Sequence, residues 1–200
     1  MAVASRGWRA ILDLVSEVAI VFPASGEWTL EDLLVLPETG FRYEIIEGSL
    51  LVTPPAGVLH GVIVAQLVRQ LQQSAPEDLF VFPGGIGVRL GRSVLIPDLV
   101  VATVTAATAG GPALEPADVV LVVEVLSASN RMTDLLTKRA VYAAGGILHY
   151  WIVDPDPPSL LALRLHGDGY RTVADVRGES PYDVTEPFPL SLSPARLCRP

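Results

Sequence analysis

The chain has 200 residues, half of them hydrophobic, which suffices for one compact domain with a core and excludes a disordered or fibrous protein. Its formal net charge of −8 argues against a protein that coats nucleic acid through a broad positive surface. The single cysteine, Cys198, excludes an intrachain disulfide or a thiolate metal cluster and favours a reducing cytoplasm. The apolar segment at residues 10–22 is too short to span a bilayer and contains Asp13 and Glu17, so we expect a soluble protein.

The first elements predicted along the chain are a short helix and a hairpin. Residues 1–26 have no clear period and are expected to form an extension, helical or flexible, ahead of a single domain at residues 27–200. Thr29 is suited to cap a helix that runs to Leu34, because acidic residues occupy its first turn. Two β segments at residues 41–53 flank Glu47-Gly48, where glycine supplies a positive φ, and therefore predict a hairpin.

The remaining elements alternate between strand and helix. Apolar residues at helical spacing predict an amphipathic helix at 58–73, and short β-rich stretches follow at 79–82, 87–90 and 95–103. The apolar run at 119–126 is typical of a central strand buried on both faces. A helix at 133–144, stopped by Gly145-Gly146, and a strand at 147–153 then predict a parallel crossover, followed by a hairpin at 160–176. The pattern indicates a mixed α/β (α+β) domain.

Two carboxylates lie beside the densest predicted β structure. Asp98 follows Pro97 and precedes a strand, and Glu124 lies inside the apolar run. Burying an isolated carboxylate is costly, so both acids need partners, and a shared Mg²⁺ is one that they can satisfy together. The alternative is structural: Glu124 pairs with an arginine such as Arg89, or lies at an exposed strand end.

Lys138 is the only lysine in the chain, whereas the other thirteen basic residues are arginines. A retained lysine indicates a position that needs a compact ammonium able to contact a water or a phosphoryl oxygen. The alternative is a solvated Asp134/Lys138 pair at i, i+4 spacing, or chance.

An ordered series of motifs resembles the Uma-two (Uma2) family, bacterial restriction-endonuclease-like proteins of the PD-(D/E)xK superfamily. The resemblance covers about residues 28–197, and its order is more specific than any one motif. The matching segments are Tyr43-Glu44-Ile45-Ile46-Glu47-Gly48, His60, Pro97-Asp98, Val123-Glu124-Val125-Leu126-Ser127, Asp134, Lys138, Tyr142, Gly145 or Gly146, and Tyr150-Trp151-Ile152-Val153-Asp154-Pro155.

The resemblance implies a restriction-endonuclease-like core, in which helices flank a mixed central sheet, and Mg²⁺- or Mn²⁺-dependent hydrolysis of DNA. In that interpretation Asp98 and Glu124 hold the metal, together with the Val125 carbonyl, and a lysine orients the attacking water. The superfamily pattern places this lysine two residues after the glutamate, where the present chain has Leu126. We expect Lys138, in the helix that follows, to bring its ammonium to the position that this missing lysine would occupy.

Three further residues are accessory candidates. Glu44 resembles an acid often supplied ahead of the core, as an outer ligand or an orienting group, although pairing with Arg42 or Arg89 explains it equally well. His60 starts the amphipathic helix and would contact a phosphate or the water network, or simply cap the helix. Tyr142 follows Lys138 by four residues and would steady the ammonium or fill the core.

The leading hypothesis is therefore a cytoplasmic endonuclease that acts on DNA, with a homodimer expected because a twofold pair suits the cutting of both strands. One alternative is a non-catalytic relative that binds nucleic acid or a protein partner, which Leu126 and the acidic charge favour. Another is an interaction module in which Asp98 and Glu124 are paired with arginines. Convergence of Asp98, Glu124 and Lys138 on one point would favour the first.

Overall fold

The computed structural model describes residue 20 and residues 22–127 and 130–199. The extension predicted for residues 1–26 therefore falls largely outside the described residues. The helices are α1 (Leu30–Leu34), α2 (Val58–Ser74), α3 (Val104–Ala109), α4 (Arg139–Ala144) and α5 (Pro194–Leu197), with a 3₁₀ turn at Pro116–Asp118. The strands are β1 (Arg42–Ile46), β2 (Ser49–Thr53), β3 (Leu79–Pro83), β4 (Gly87–Leu90), β5 (Ser93–Leu95), β6 (Leu99–Thr103), β7 (Ala113–Leu114), β8 (Val119–Val125), β9 (His149–Pro155), β10 (Pro158–His166), β11 (Gly169–Arg177), β12 (Tyr182–Val184) and β13 (Leu190–Leu192).

A six-stranded mixed sheet forms the centre of the domain, in the order β11-β10-β9-β8-β6-β3. Only β8 and β9 are parallel in this sheet, as the predicted crossover requires, and the other neighbours are antiparallel. Strand β8 is interior, and six of its seven residues are buried. The prediction of a central strand and a mixed α/β fold is confirmed.

A second, five-stranded sheet has the order β2-β1-β5-β4-β7. Its hairpin β1–β2 turns at Glu47 and Gly48, whose φ angles of 48° and 77° are those of a two-residue turn that follows the natural twist of the strands. The hairpin predicted around these residues is confirmed. Near it, Thr29 caps α1 and Asp32 bonds back to the Thr29 amide, which forms a capping box.

Two hydrophobic cores lie on opposite faces of the six-stranded sheet. The first core contains the buried side chains of α2 and α5 together with alternate residues of β6, β8 and β9. The second core contains the intervening residues of the same strands and the inner faces of β4 and β5. Strand alternation therefore decides which side chains point toward the second sheet, and Val122 and Leu126 of the central segment do so.

The helix predicted at residues 133–144 is divided in the structure. Residues Thr133–Lys138 form a π-helical segment, with hydrogen bonds from i to i+5, and only Arg139–Ala144 are α-helical. The helix ends where Gly145 approaches the second sheet so closely that a β-carbon there would lie 2.2 Å from Leu90 Cδ2. None of the helices in the described part of the chain is long and apolar enough to cross a membrane.

Candidate active site

Asp98 and Glu124 lie side by side on the face of the central sheet that points toward the second sheet. Leu99 pairs with Val123 across β6 and β8, so extending this antiparallel register by one residue places Asp98 opposite Glu124. The Val125 amide donates to Asp98 Oδ2 at 2.8 Å, which fixes the aspartate against β8. Both carboxyl groups are buried, with at most 1% of either residue exposed.

Lys138 approaches Glu124 from the helical side. Its Nζ lies 3.0 Å from Glu124 Oε1, 2.9 Å from Glu44 Oε1 and 3.5 Å from Asp134 Oδ1. Burial, the largest influence, acts to lower the lysine pKa, but the charges of Glu124, Glu44 and Asp134 outweigh it and raise the pKa above its ordinary value. The ammonium is therefore a fixed positive charge among three carboxyl groups.

The two oxygens of Glu124 have different surroundings. Oε1 accepts from Lys138 and from the Tyr142 hydroxyl at 2.7 Å, whereas Oε2 is buried and has no hydrogen-bond partner. Burial raises the pKa of Glu124 well above its usual range, against the opposing charge of Lys138. The charges of Asp134 and Asp98 raise it further, so an additional cation beside Glu124 would favour its charged form.

Asp98 has the opposite electrostatic balance. Arg42 Nη1 lies 2.8 Å from its Oδ1 and His60 Nε2 lies 2.9 Å from its Oδ2. Burial alone would raise the pKa of Asp98, but the hydrogen bond from His60 and the charge of Arg42 lower it to about 2. Asp98 is therefore ionised under all ordinary conditions.

Asp134 is a member of this cluster that the sequence did not single out as a site residue. Burial raises its pKa to about 7, although the charge of Lys138 lowers it in part. Neither of its carboxylate oxygens has a hydrogen-bond partner, and its backbone carbonyl accepts from the Tyr150 hydroxyl at 2.9 Å. The i, i+4 spacing to Lys138 was the available signal, and interpreting the two residues as a solvated pair is wrong because both are buried.

Several pairings considered from the sequence differ from those observed. Arg89 contacts Glu115 at 3.3 Å and not Glu124. Glu44 binds Lys138 and the Ile96 amide, whereas Arg42, one of its two alternative partners, contacts Asp98. Leu126 packs in the second core, and the ammonium that the superfamily pattern places two residues after the glutamate comes from the helical side. Tyr142 lies in the same core and bonds to Glu124 through its hydroxyl.

The chemistry of the cluster fits a hard divalent cation. Four buried carboxyl groups, of Glu44, Asp98, Glu124 and Asp134, face two permanent cations, Lys138 and Arg42. Three of these acids have buried oxygens without a hydrogen-bond partner, and carboxylate oxygens are the ligands that Mg²⁺ prefers. As the side chains stand, no three His, Cys, Asp or Glu groups within residues 20, 22–127 and 130–199 are arranged to hold a metal ion.

The mixed sheet of this α/β protein brings two adjacent carboxylates and a lysine together. The chain belongs to the Uma2 family, whose description is "Putative restriction endonuclease" and which matches residues 30–197. Its fold is similar to that of a "putative nuclease belonging to DUF820" from Anabaena variabilis, with a TM-score of 0.65 and 22% identity over 86% of this chain and 97% of the other. No curated protein matches the sequence. The family description supports a nuclease, and the structural likeness supports the fold.

Proposed function

We propose that the protein is a Mg²⁺- or Mn²⁺-dependent endonuclease that hydrolyses DNA phosphodiester bonds. The observation that carries the proposal is the 3.0 Å contact between Lys138 Nζ and Glu124 Oε1, beside Asp98. Lys138 would thus supply, from the helical side, the ammonium that the superfamily pattern places at the position of Leu126.

In this proposal Asp98 and Glu124 would hold the metal, with the Val125 carbonyl as a further oxygen ligand. When bound, the ion would supply charge stabilisation at the scissile phosphate and lower the pKa of the attacking water. Lys138 would orient that water and hold its own proton throughout, since the surrounding carboxylates raise the pKa of Lys138. Glu44 and Tyr142 position the other groups: Glu44 fixes the ammonium, and the Tyr142 hydroxyl fixes Glu124 Oε1.

His60 is a positioning residue in the same scheme. It lies near the start of α2 and contacts Asp98 Oδ2, the oxygen that also accepts from the Val125 amide. These two contacts occupy Asp98 Oδ2, so Oδ1, which Arg42 contacts, is the oxygen that would bind a metal. We further propose a homodimer, because a twofold pair would present two such sites to opposite strands of a duplex.

A non-catalytic protein that binds nucleic acid or a protein partner is the second candidate. It is favoured by the charge contact between Arg42 and Asp98, which already neutralises one of the proposed metal ligands, and by the net charge of −8. The two candidates predict different responses to a divalent metal.

The test is Mn²⁺ titration by calorimetry, combined with cleavage of supercoiled plasmid, on wild type, Asp98→Asn, Glu124→Gln and Lys138→Arg. We expect the first two variants to lose metal binding and cleavage. Lys138→Arg should retain metal binding and lose cleavage on the order of a hundredfold, because arginine keeps the charge but cannot reproduce the compact ammonium. Glu115→Gln is the matched control, because Glu115 is an exposed acid paired with Arg89.

A folded wild type that does not bind Mn²⁺, or that binds it and leaves the plasmid intact, would favour the second candidate. Equal cleavage by wild type and Lys138→Arg would remove Lys138 from the mechanism. Sedimentation of the wild type tests the dimer independently of activity.

A further inference from the structure

Arg42 occupies the boundary between the buried carboxyl cluster and the surface. Its side chain is 26% exposed and lines a large open cleft of about 820 Å³, together with apolar residues that include Phe41, Tyr43 and Ile96. Arg42 also lines a small cavity of about 70 Å³, together with Glu44, Asp134 and Lys138. Arg42 therefore borders both the cleft and the cavity beside the buried acids.

Arg42 contacts only one of the two oxygens of Asp98. Arg42 Nη1 lies 2.8 Å from Asp98 Oδ1 and also donates to the Ile96 carbonyl at 3.2 Å. Asp98 Oδ2, by contrast, is held by the Val125 amide and His60. Oδ1 can therefore exchange Arg42 for another cation while the aspartate keeps its hydrogen bonds.

The charges around Arg42 favour such an exchange. Lys138 is already in contact with Glu44, Glu124 and Asp134, so Arg42 is the cation that compensates Asp98. A divalent ion at Asp98 would repel the guanidinium at short range. The exit for the displaced guanidinium is the cleft, where Arg42 is the one cationic side chain among the described lining residues.

We propose that Arg42 is a phosphate-binding residue that competes with the metal for Asp98: it pairs with Asp98 when no metal is bound and turns into the cleft to contact a substrate phosphate when metal occupies the site. This inference rests on the proposed nuclease function. Arginine suits both positions, since its planar fork binds carboxylate and phosphate alike through paired N–H groups. The chain would thus carry its own counter-ion for the empty site, which a strongly acidic cluster needs to remain folded without metal.

The test compares Arg42→Gln with wild type in two binding measurements. Calorimetry with Mn²⁺ alone should show tighter binding by the variant, on the order of tenfold, because the competing cation is gone. Fluorescence anisotropy with a labelled DNA oligonucleotide in Ca²⁺ should show weaker binding by the variant. The affinity of the variant should also depend less steeply on salt concentration, by the amount expected for the loss of about one phosphate contact. These opposite changes distinguish the proposal from a structural role, in which both affinities would fall together.

Arg92→Gln is the matched control, because Arg92 is an exposed arginine paired with Glu27 and loses the same charge. If Arg42→Gln does not fold, Arg42→Lys provides the test instead. Its Mn²⁺ affinity should stay within about threefold of wild type because lysine keeps the charge. Its oligonucleotide binding should weaken because lysine lacks the paired N–H donors of arginine.

Unchanged or weaker Mn²⁺ binding by Arg42→Gln overturns the proposed competition, and so does an absence of binding by both proteins. Unchanged oligonucleotide binding overturns the proposed phosphate contact. If all proteins bind metal and none cleaves plasmid, the endonuclease proposal fails, whereas the opposite shifts of the two affinities still decide the role of Arg42.

Discussion

Replacing Lys138 by methionine removes the cation at the centre of the carboxyl cluster while keeping a side chain of similar length. The ammonium contacts Glu44, Glu124 and Asp134 within 3.5 Å, and the residue is only 2% exposed. Because solvent cannot replace the lost charge, the buried carboxylates lose their compensating cation and the folded state is destabilised. We therefore expect Lys138→Met to be strongly destabilised.

The size of the effect follows from the burial. Removing one member of a buried ion pair typically costs about 3–5 kcal/mol, which for a domain of this length lowers Tm by roughly 6–20 °C. The loss should depend on pH. With the lysine gone, the folded-state pKa values of Glu124 and Asp134 rise further above their unfolded values, so the folded chain binds more protons and stability falls as pH increases above about 4.

The assay is urea unfolding between pH 5 and pH 8, with Arg139→Met as the control for loss of one positive charge. Arg139 is adjacent in sequence, and its guanidinium donates to the Tyr170 carbonyl at 3.0 Å outside the cluster. A Lys138→Met protein that unfolds within about 1 kcal/mol of the control at both pH values would refute the reasoning, because it would mean that the acids need no cation.

Three further substitutions should each change the stability of the protein in a different way. Tyr142→Phe removes the 2.7 Å hydrogen bond to Glu124 and should cost about 1.5–3 kcal/mol, measured as a lower urea midpoint against Tyr182→Phe as control. The pKa of Asp98 is lowered to about 2, so Asp98 contributes stability above its unfolded pKa of 3.8, and this contribution is lost as pH falls toward 2. The free energy of unfolding of Asp98→Asn should therefore change less with pH in an acid titration, and it should be lower than that of wild type by roughly 2 kcal/mol at pH 5. The pKa of Asp134 is raised to about 7, so its contribution to stability is present at pH 4 and is lost as pH rises to 7. Thermal melts of Asp134→Asn should lack this loss of stability between pH 4 and pH 7. A loss equal to that of wild type would contradict the raised pKa of Asp134.

Local patterns predicted much of the fold because each depends on neighbouring residues. The Glu47-Gly48 turn needs positive φ at both positions, and the apolar run of β8 can only be satisfied by burial on two faces. The division of the strands into two facing sheets was not predicted, since it depends on which strands pair across the domain. The π-helical segment was missed as well, because the side-chain spacing of Asp134, Lys138 and Tyr142 also fits a regular helix.

The candidate site was predicted in its residue types and less well in its contacts. Asp98, Glu124 and Lys138 were selected because buried acids need partners and because the chain has a single lysine. The structure places Lys138 on Glu124 and fixes Asp98 to the backbone of Val125. The alternative in which Glu44 pairs with Arg42 or Arg89 is not observed, because Lys138 and Asp98 are brought near these residues only by the packing of the fold.

The π-helical segment alternates between side chains that belong to the site and side chains that face solvent. Asp134 and Lys138 are buried, whereas Leu136 between them is 61% exposed. A π turn contains one residue more than an α turn, so the segment accommodates an additional residue while Lys138 and Tyr142 both still reach Glu124. Sequence change at Leu136 should therefore be tolerated far more readily than change at Asp134 or Lys138.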